Sequence, residues 1–186
     1  MLLTEKIEYK KLDRTTTPTG RMYVGDDNVP VPSVTTVLDK TADKTALIAW
    51  RKRVGDAEAT RVSNEAAGLG TKVHNALENY ILVGLIAKGL YAGTTDCVGM
   101  HNGQESIIDF KTSKKIKPTK WVQDYFLQCC AYAMAHNEMY GTNIRKGVIL
   151  MVSRDVELKE YIIEGDEFDH YCVEWTKRLE QYYSSL

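Results

Sequence analysis

The dipeptide Asn102-Gly103 constrains the folding of this chain more than any other stretch. A type I′ turn needs positive φ at both central residues, and Asn-Gly supplies it most readily. The flanks, Thr95-Asp96-Cys97-Val98-Gly99-Met100-His101 and Gln104-Glu105-Ser106-Ile107-Ile108-Asp109-Phe110-Lys111, are expected to fold back on each other. Counting outward from the turn pairs His101 with Gln104, Gly99 with Ser106, and Asp96 with Asp109. Side chains alternate along a strand, so Lys111 shares the face of Asp109. Carboxylates opposed in this way have Cβ atoms about 4.5–5.5 Å apart and repel each other. A cation between them relieves the repulsion, and hard oxygen donors suit Mg²⁺ or Mn²⁺.

Two acids, a lysine and such a metal are the components of phosphodiester hydrolysis. The metal lowers the pKa of a bound water and stabilises charge on the scissile phosphate. Lys111 can orient or help deprotonate that water, or offset developing negative charge. The plain alternative for Asp109 and Lys111 is an exposed strand face, but Ile107 shares that face and argues against it. Gln128 and Tyr132 lie four apart on the helix that follows, and so share a side. Trp121, Asp124 and Tyr125 extend that side, although an ordinary amphipathic helix explains them equally simply. His74 is a candidate third metal ligand through its neutral imidazole, though a lone histidine is more often structural.

Two runs could hold nucleic acid. One is Trp50 with Arg51, Lys52 and Arg53; the other is Lys111, Lys114, Lys115, Lys117 and Lys120 with Trp121. Aromatic rings can stack bases while cations hold phosphates. Solvated faces and core packing are the alternatives, and they weigh more on the first run. Net charge is −1, so any such binding depends on a local patch. The 186 residues, 44% hydrophobic, suffice for one domain with a core. Cys97, Cys129, Cys130 and Cys172 form no C-x-x-C pair and read as small hydrophobes in a reducing compartment. With no signal-peptide pattern and only a short apolar run over 80–87, a soluble cytoplasmic protein away from membranes is expected.

The expected elements run in order. A strand over 7–12, a turn over 15–20 and a strand over 21–24 open the chain, and Pro30 and Pro32 mark the exit. Ser33 caps a helix through Leu38, with Val34, Val37 and Leu38 inward. Helices follow over about 44–55 and from about Asp56 through Val83, the second with a possible break at Gly68 or Gly70 and a stripe of Val73, Leu77, Tyr80 and Ile81. Hairpin strands take about 90–100 and 104–112, then a helix about 119–139. Strands over 146–153 and 156–164 precede a helix over about 166–183 that buries Phe168, Val173, Trp175 and Leu179. This order gives an α/β fold with a small central mixed β-sheet flanked by helices.

Four motifs in this order resemble a known family: Gly70-Thr71-x-x-His74, Ala92-Gly93-Thr94-Thr95-Asp96, Ile108-Asp109-Phe110-Lys111-Thr112-Ser113, and Gln128-x-x-x-Tyr132. They are similar to RecB-like nucleases of the PD-(D/E)XK superfamily. Pro32-Ser33-Val34-Thr35-Thr36-Val37-Leu38 and Leu47-x-x-Trp50 resemble the branch of phage exonucleases and the mitochondrial genome maintenance exonuclease. The resemblance spans about 23–140. It implies a restriction-endonuclease-like core in a single domain over 1–186, with 1–40 as an N-terminal extension. It also implies a metal-dependent DNA exonuclease acting on single-stranded ends, in the host cytoplasm for a phage protein. By match, Asp96 and Asp109 are metal ligands, Lys111 is the catalytic lysine, His74 is a metal-site histidine, and Gln128 and Tyr132 form the supporting helix motif.

Thr95 stands where the superfamily's name has proline. Family members also carry a longer segment before the Gly-Thr-x-Asp strand. Here only Leu82 to Leu90 intervene, so part of the substrate channel and one sheet strand are expected to be absent. That shortening gives the alternative of a DNA-binding or assembly module with weak or lost nuclease activity. Only Cys172 lies near the C-terminus, so no iron–sulfur cluster is expected.

Overall fold

The structure is a computed structural model that describes residues 9, 12–24, 28–81 and 83–186, with side chains except at 69, 73–81 and 83. Its first strands, β1 (Asp13–Thr17) and β2 (Gly20–Val24), are joined by a tight turn at Pro18-Thr19. The three β-branched threonines Thr15 to Thr17 thus continue a strand where a turn was expected. Most of the strand expected over 7–12 lies outside the described residues. Pro30–Pro32, at the expected exit, forms β3; among the described residues it pairs with β2 alone, and an edge is where prolines are tolerated.

Helix α1 (Val34–Thr41) starts at Ser33, whose Oγ accepts the Thr36 N–H at 3.0 Å, and it buries Val34, Val37 and Leu38. Then come α2 (Thr45–Val54) and α3 (Asp56–Ile81). No break occurs at Gly68 or Gly70: a helical glycine costs only about 0.5–1 kcal/mol. Arg61 pairs with both Glu58 and Glu65 on the same helix. The side chains of the Val73, Leu77, Tyr80 and Ile81 stripe lie outside the described residues.

The short link is itself a strand. Val83–Ala87 forms β4, antiparallel to β5 (Tyr91–Thr95), with the chain turning through 88–90. The strand expected over 90–100 is divided by a bend at Asp96, after which β6 (Cys97–His101) pairs with β7 (Gln104–Ser113). The register about the turn pairs His101 with Gln104 and Gly99 with Ser106. Asn102 and Gly103 have φ of 50° and 79°, as a type I′ turn requires.

A 3-10 turn (Thr119–Trp121) starts the segment expected to be wholly α-helical, and α4 (Gln123–Tyr140) continues it. Strands β8 (Lys146–Ser153) and β9 (Leu158–Glu164) and helix α5 (Gly165–Ser184) follow. The sheet order is β6-β7-β8-β9, with β7 and β8 parallel and the other neighbours antiparallel. A parallel pair needs a crossover, and α4 provides it. The fold is therefore α/β, a mixed sheet flanked by helices.

The core lies between α4, one face of this sheet, α1 and α5. Trp175 of α5 packs edge-on against Tyr91, ring centroids 5.0 Å apart. Arg178 of α5 donates to the Leu38 carbonyl at 3.0 Å and to Thr41, at the end of α1. Val173 is exposed, contrary to expectation: two residues from Trp175 on a helix is about half a turn away. Among the described residues no helix is long and apolar enough to cross a membrane.

Candidate functional site

Strand β7 leaves the core as it runs. Ile107 is fully buried among apolar neighbours, Asp109 is 1% exposed, and Lys111 reaches the edge of a cleft of about 580 Å³. All three share the face that packs towards α4. Lys111 Nζ donates to Asp109 Oδ1 at 2.7 Å and lies 2.6 Å from Oδ2, so one ammonium bridges both carboxylate oxygens.

Asp96 enters from the bend between β5 and β6. It lies beyond the last paired rung, Cys97 with Ile108, so it does not face Asp109 across a ladder as expected. The Phe110 N–H has no strand partner at that point, and Asp96 Oδ2 accepts it at 2.9 Å. The two carboxylates therefore line one cleft by different routes: Asp109 from mid-strand, Asp96 as a cap on the neighbouring backbone.

Helix α4 presents Tyr125, Gln128 and Tyr132 to the same cleft, on successive turns. Gln128 Nε2 donates to the Tyr132 hydroxyl at 3.2 Å. Burial pushes the Tyr132 pKa well above the ordinary range; the Gln128 hydrogen bond opposes this, and Asp109 and Asp96 add to it. Tyr132 is a neutral phenol at any ordinary pH. Its close approach to β5 depends on Gly93, where a Cβ would stand 2.7 Å from Tyr132 Cε1 and 3.1 Å from its hydroxyl.

Lys111 is influenced by opposing effects. Burial pulls its pKa down, but the Asp109 carboxylate outweighs this, and Asp96 and Tyr125 add to it, so the net shift is upward. Lys111 is thus an ammonium here. Its Nζ stands 4.9 Å from the Tyr125 ring centroid, and Lys117 approaches the same ring at 5.2 Å while donating to the Tyr125 hydroxyl at 2.9 Å.

Other expected residues lie elsewhere. Lys114, Lys115, Lys120 and Trp121 are exposed around the loop after β7. Trp50, Arg51 and Arg53 sit on α2, which buries no residue and does not line the cleft. Arg51 is held by Asp56 and Thr60. His74 falls on α3, three residues beyond the cleft-lining Thr71, and its side chain lies outside the described residues. Among the described residues no three His, Cys, Asp or Glu side chains form a metal-binding group. Asp96 and Asp109 nonetheless offer oxygen donors of the kind Mg²⁺ and Mn²⁺ take. The Lys111 ammonium against both Asp109 oxygens marks a position that attracts a cation.

Arg14, Arg21 and Tyr23, which stand outside the expected site residues and motifs, also line the cleft, as do Ser33, Thr35 and Thr94 from the motifs. The alternation of Arg14 with Thr16, and of Arg21 with Tyr23, about the Pro18-Thr19 turn was the available signal.

No protein-family model matches the chain. Stretches of it are similar to mitochondrial genome maintenance exonuclease 1: 34% identical over 98 residues for the Homo sapiens protein, and 33% over 98 for that of Xenopus tropicalis. The Mus musculus protein is 32% identical over 96 residues. Each match takes in 50% of this chain and 28% of the relative, so the chain spans only a minor part of those proteins' length. The crystal structure of SSO0001 superposes with a TM-score of 0.50 over 88% of this chain and 79% of that one, at 18% identity, a likeness of fold. Half of this chain is thus related in sequence to proteins named as exonucleases.

Proposed function

We propose that this chain is a Mg²⁺- or Mn²⁺-dependent DNA exonuclease of the PD-(D/E)XK type, acting on single-stranded ends. The observation that carries the reading is the meeting of Asp96, Asp109 and Lys111 in one cleft with Gln128 and Tyr132. The partial identity to exonucleases supports the same reading. Asp96 and Asp109, with His74 as the third candidate, would hold the metal, which when bound supplies a water of lowered pKa and charge for the scissile phosphate.

The chain's own residues have distinct parts. Lys111, two residues along the strand from Asp109 and in contact with it, offsets negative charge developing on the phosphate or orients the attacking water. Tyr132, neutral and oriented by Gln128, offers a hydroxyl beside the carboxylates. Tyr125 holds Lys111 and Lys117 along one wall. Lys114, Lys115, Lys117, Lys120 and Trp121 extend a basic, aromatic margin for the DNA strand, with Trp50, Arg51 and Arg53 as a more distant one.

End-labelled single-stranded DNA incubated with the protein and Mg²⁺ or Mn²⁺ tests this. Stepwise shortening is expected, slowed about a hundredfold or more by Lys111→Ala or Asp109→Asn. Undiminished cleavage by both variants would overturn the assignment. The alternative of a DNA-binding or assembly module with weak or lost nuclease activity rests on the shortened segment 82–90, of which Val83–Ala87 forms β4; tight DNA binding without turnover is the result that would favour it.

A further inference from the structure

We infer that the β1–β2 hairpin carries a phosphate-binding subsite, formed by Arg14 and Arg21, that holds the backbone of a nucleic-acid strand against the carboxylate cleft. The inference rests on the nuclease reading and adds to it a binding element outside the four motifs.

The hairpin register places Arg14 opposite Tyr23 and Thr16 opposite Arg21, so both arginines and Tyr23 share one face. That face lines the cleft that holds Asp96, Asp109 and Lys111. The hairpin is fixed to the strand that delivers Asp96: Tyr23 is buried, and its hydroxyl lies 3.4 Å from Thr94 Oγ1. Its attachment to α1 is tighter. The Arg21 N–H donates to Thr36 Oγ1 at 2.9 Å, while the Arg21 carbonyl accepts from Thr36 Oγ1 at 3.0 Å and from the Ser33 N–H at 2.9 Å. Three hydrogen bonds thus hold the backbone that carries one guanidinium.

Among the described residues neither arginine is ion-paired with a carboxylate, nor is the exposed Arg53 on α2, whereas Arg51, Arg61, Arg145, Arg154 and Arg178 each lie within ion-pair distance of one. Arg14, Arg21 and Lys111 set three cations against the two carboxylates of the cleft. A guanidinium presents a planar fork that matches a phosphodiester's oxygens in pairs. The competing explanation is that the arginines only balance the carboxylates, and it predicts no contribution to strand affinity.

Fluorescence anisotropy of a labelled single-stranded oligonucleotide in EDTA, over a salt series, separates the two. Arg14→Gln/Arg21→Gln is expected to weaken binding about tenfold or more at low salt and to flatten the log–log salt slope by about 1.4, since each phosphate contact on a single strand contributes about 0.7. Arg14→Lys/Arg21→Lys is expected to keep the slope and lose part of the affinity, and it shows the effect should the glutamine pair fail to fold. Arg145→Gln, a surface cation paired with Asp169, is the control and should change neither. Wild-type affinity and slope in the glutamine pair would overturn the subsite alone. A wild-type protein that neither binds nor shortens DNA would overturn the subsite together with the nuclease reading.

Discussion

Asp109 and Lys111 define the residue scale. An acid nearly sealed from solvent is tolerable because a lysine two positions along the same strand bridges both of its oxygens. Removing one partner of a buried pair leaves the other uncompensated, at about 3–5 kcal/mol. Lys111→Met is therefore expected to destabilise the protein by about 3 kcal/mol in urea unfolding. Asp109→Asn/Lys111→Met is expected to cost less than the lysine change alone, because no stranded charge remains; strictly additive losses would show that the pair is not coupled. This juxtaposition was legible in the sequence, since alternation from the Asn102-Gly103 turn puts positions 109 and 111 on one face. The placement of Asp96 was not. Strand counting set it opposite Asp109, but at the end of a ladder an unpaired amide competes for a nearby carboxylate, and the Phe110 N–H takes it.

At the scale of elements, the strands and helices with strong local signals follow their expected limits closely. Ser33 caps α1, the apolar run at 146–153 is β8, and the turn register is that of an Asn-Gly hairpin. What went unread depends on neighbours distant in sequence. Strand β4 exists through pairing with β5, and nothing in Val-Gly-Leu-Ile-Ala alone distinguishes it from the end of the preceding helix. The hairpin arginines become cleft residues only because Thr36 and Thr94 fix β2 over the site. Gly93 shows the same dependence: it joins the third residue of β5 to Tyr132 of α4, with no room between them. Gly93→Ala is expected to push Tyr132 and β5 apart, costing about 1–3 kcal/mol by overpacking. Nuclease rate in the folded fraction should fall as well, because Asp96 follows β5; a lowered melting temperature with an unchanged rate would show that this packing does not set the site.

For the whole molecule, stability is limited at both ends of the pH range by identifiable groups. The folded pKa of Lys111 lies above its ordinary value of about 10.4, so its contribution is complete below that pH and is lost as pH rises through the raised value. His136, buried beside Thr142 and Tyr9, has its pKa lowered by burial. Its contribution is complete above about pH 6.5 and is lost as pH falls through the depressed folded value. Urea midpoints measured against pH should fall on both sides, with the acid fall shallower in His136→Gln and the alkaline fall shallower in Lys111→Met. An acid limb identical in wild type and His136→Gln would exclude the histidine as its source.

The ring of Trp175 against Tyr91, and the grip of Arg178 on the end of α1, tie α5 to elements made well before it. Tyr91 begins the strand that leads to Asp96, and every cleft residue leaves the ribosome before α5 does. A growing chain carries both carboxylates and their cations well before it carries the helix that packs their frame. Residues 165–184 therefore join the frame of the cleft after every residue that lines it has been made.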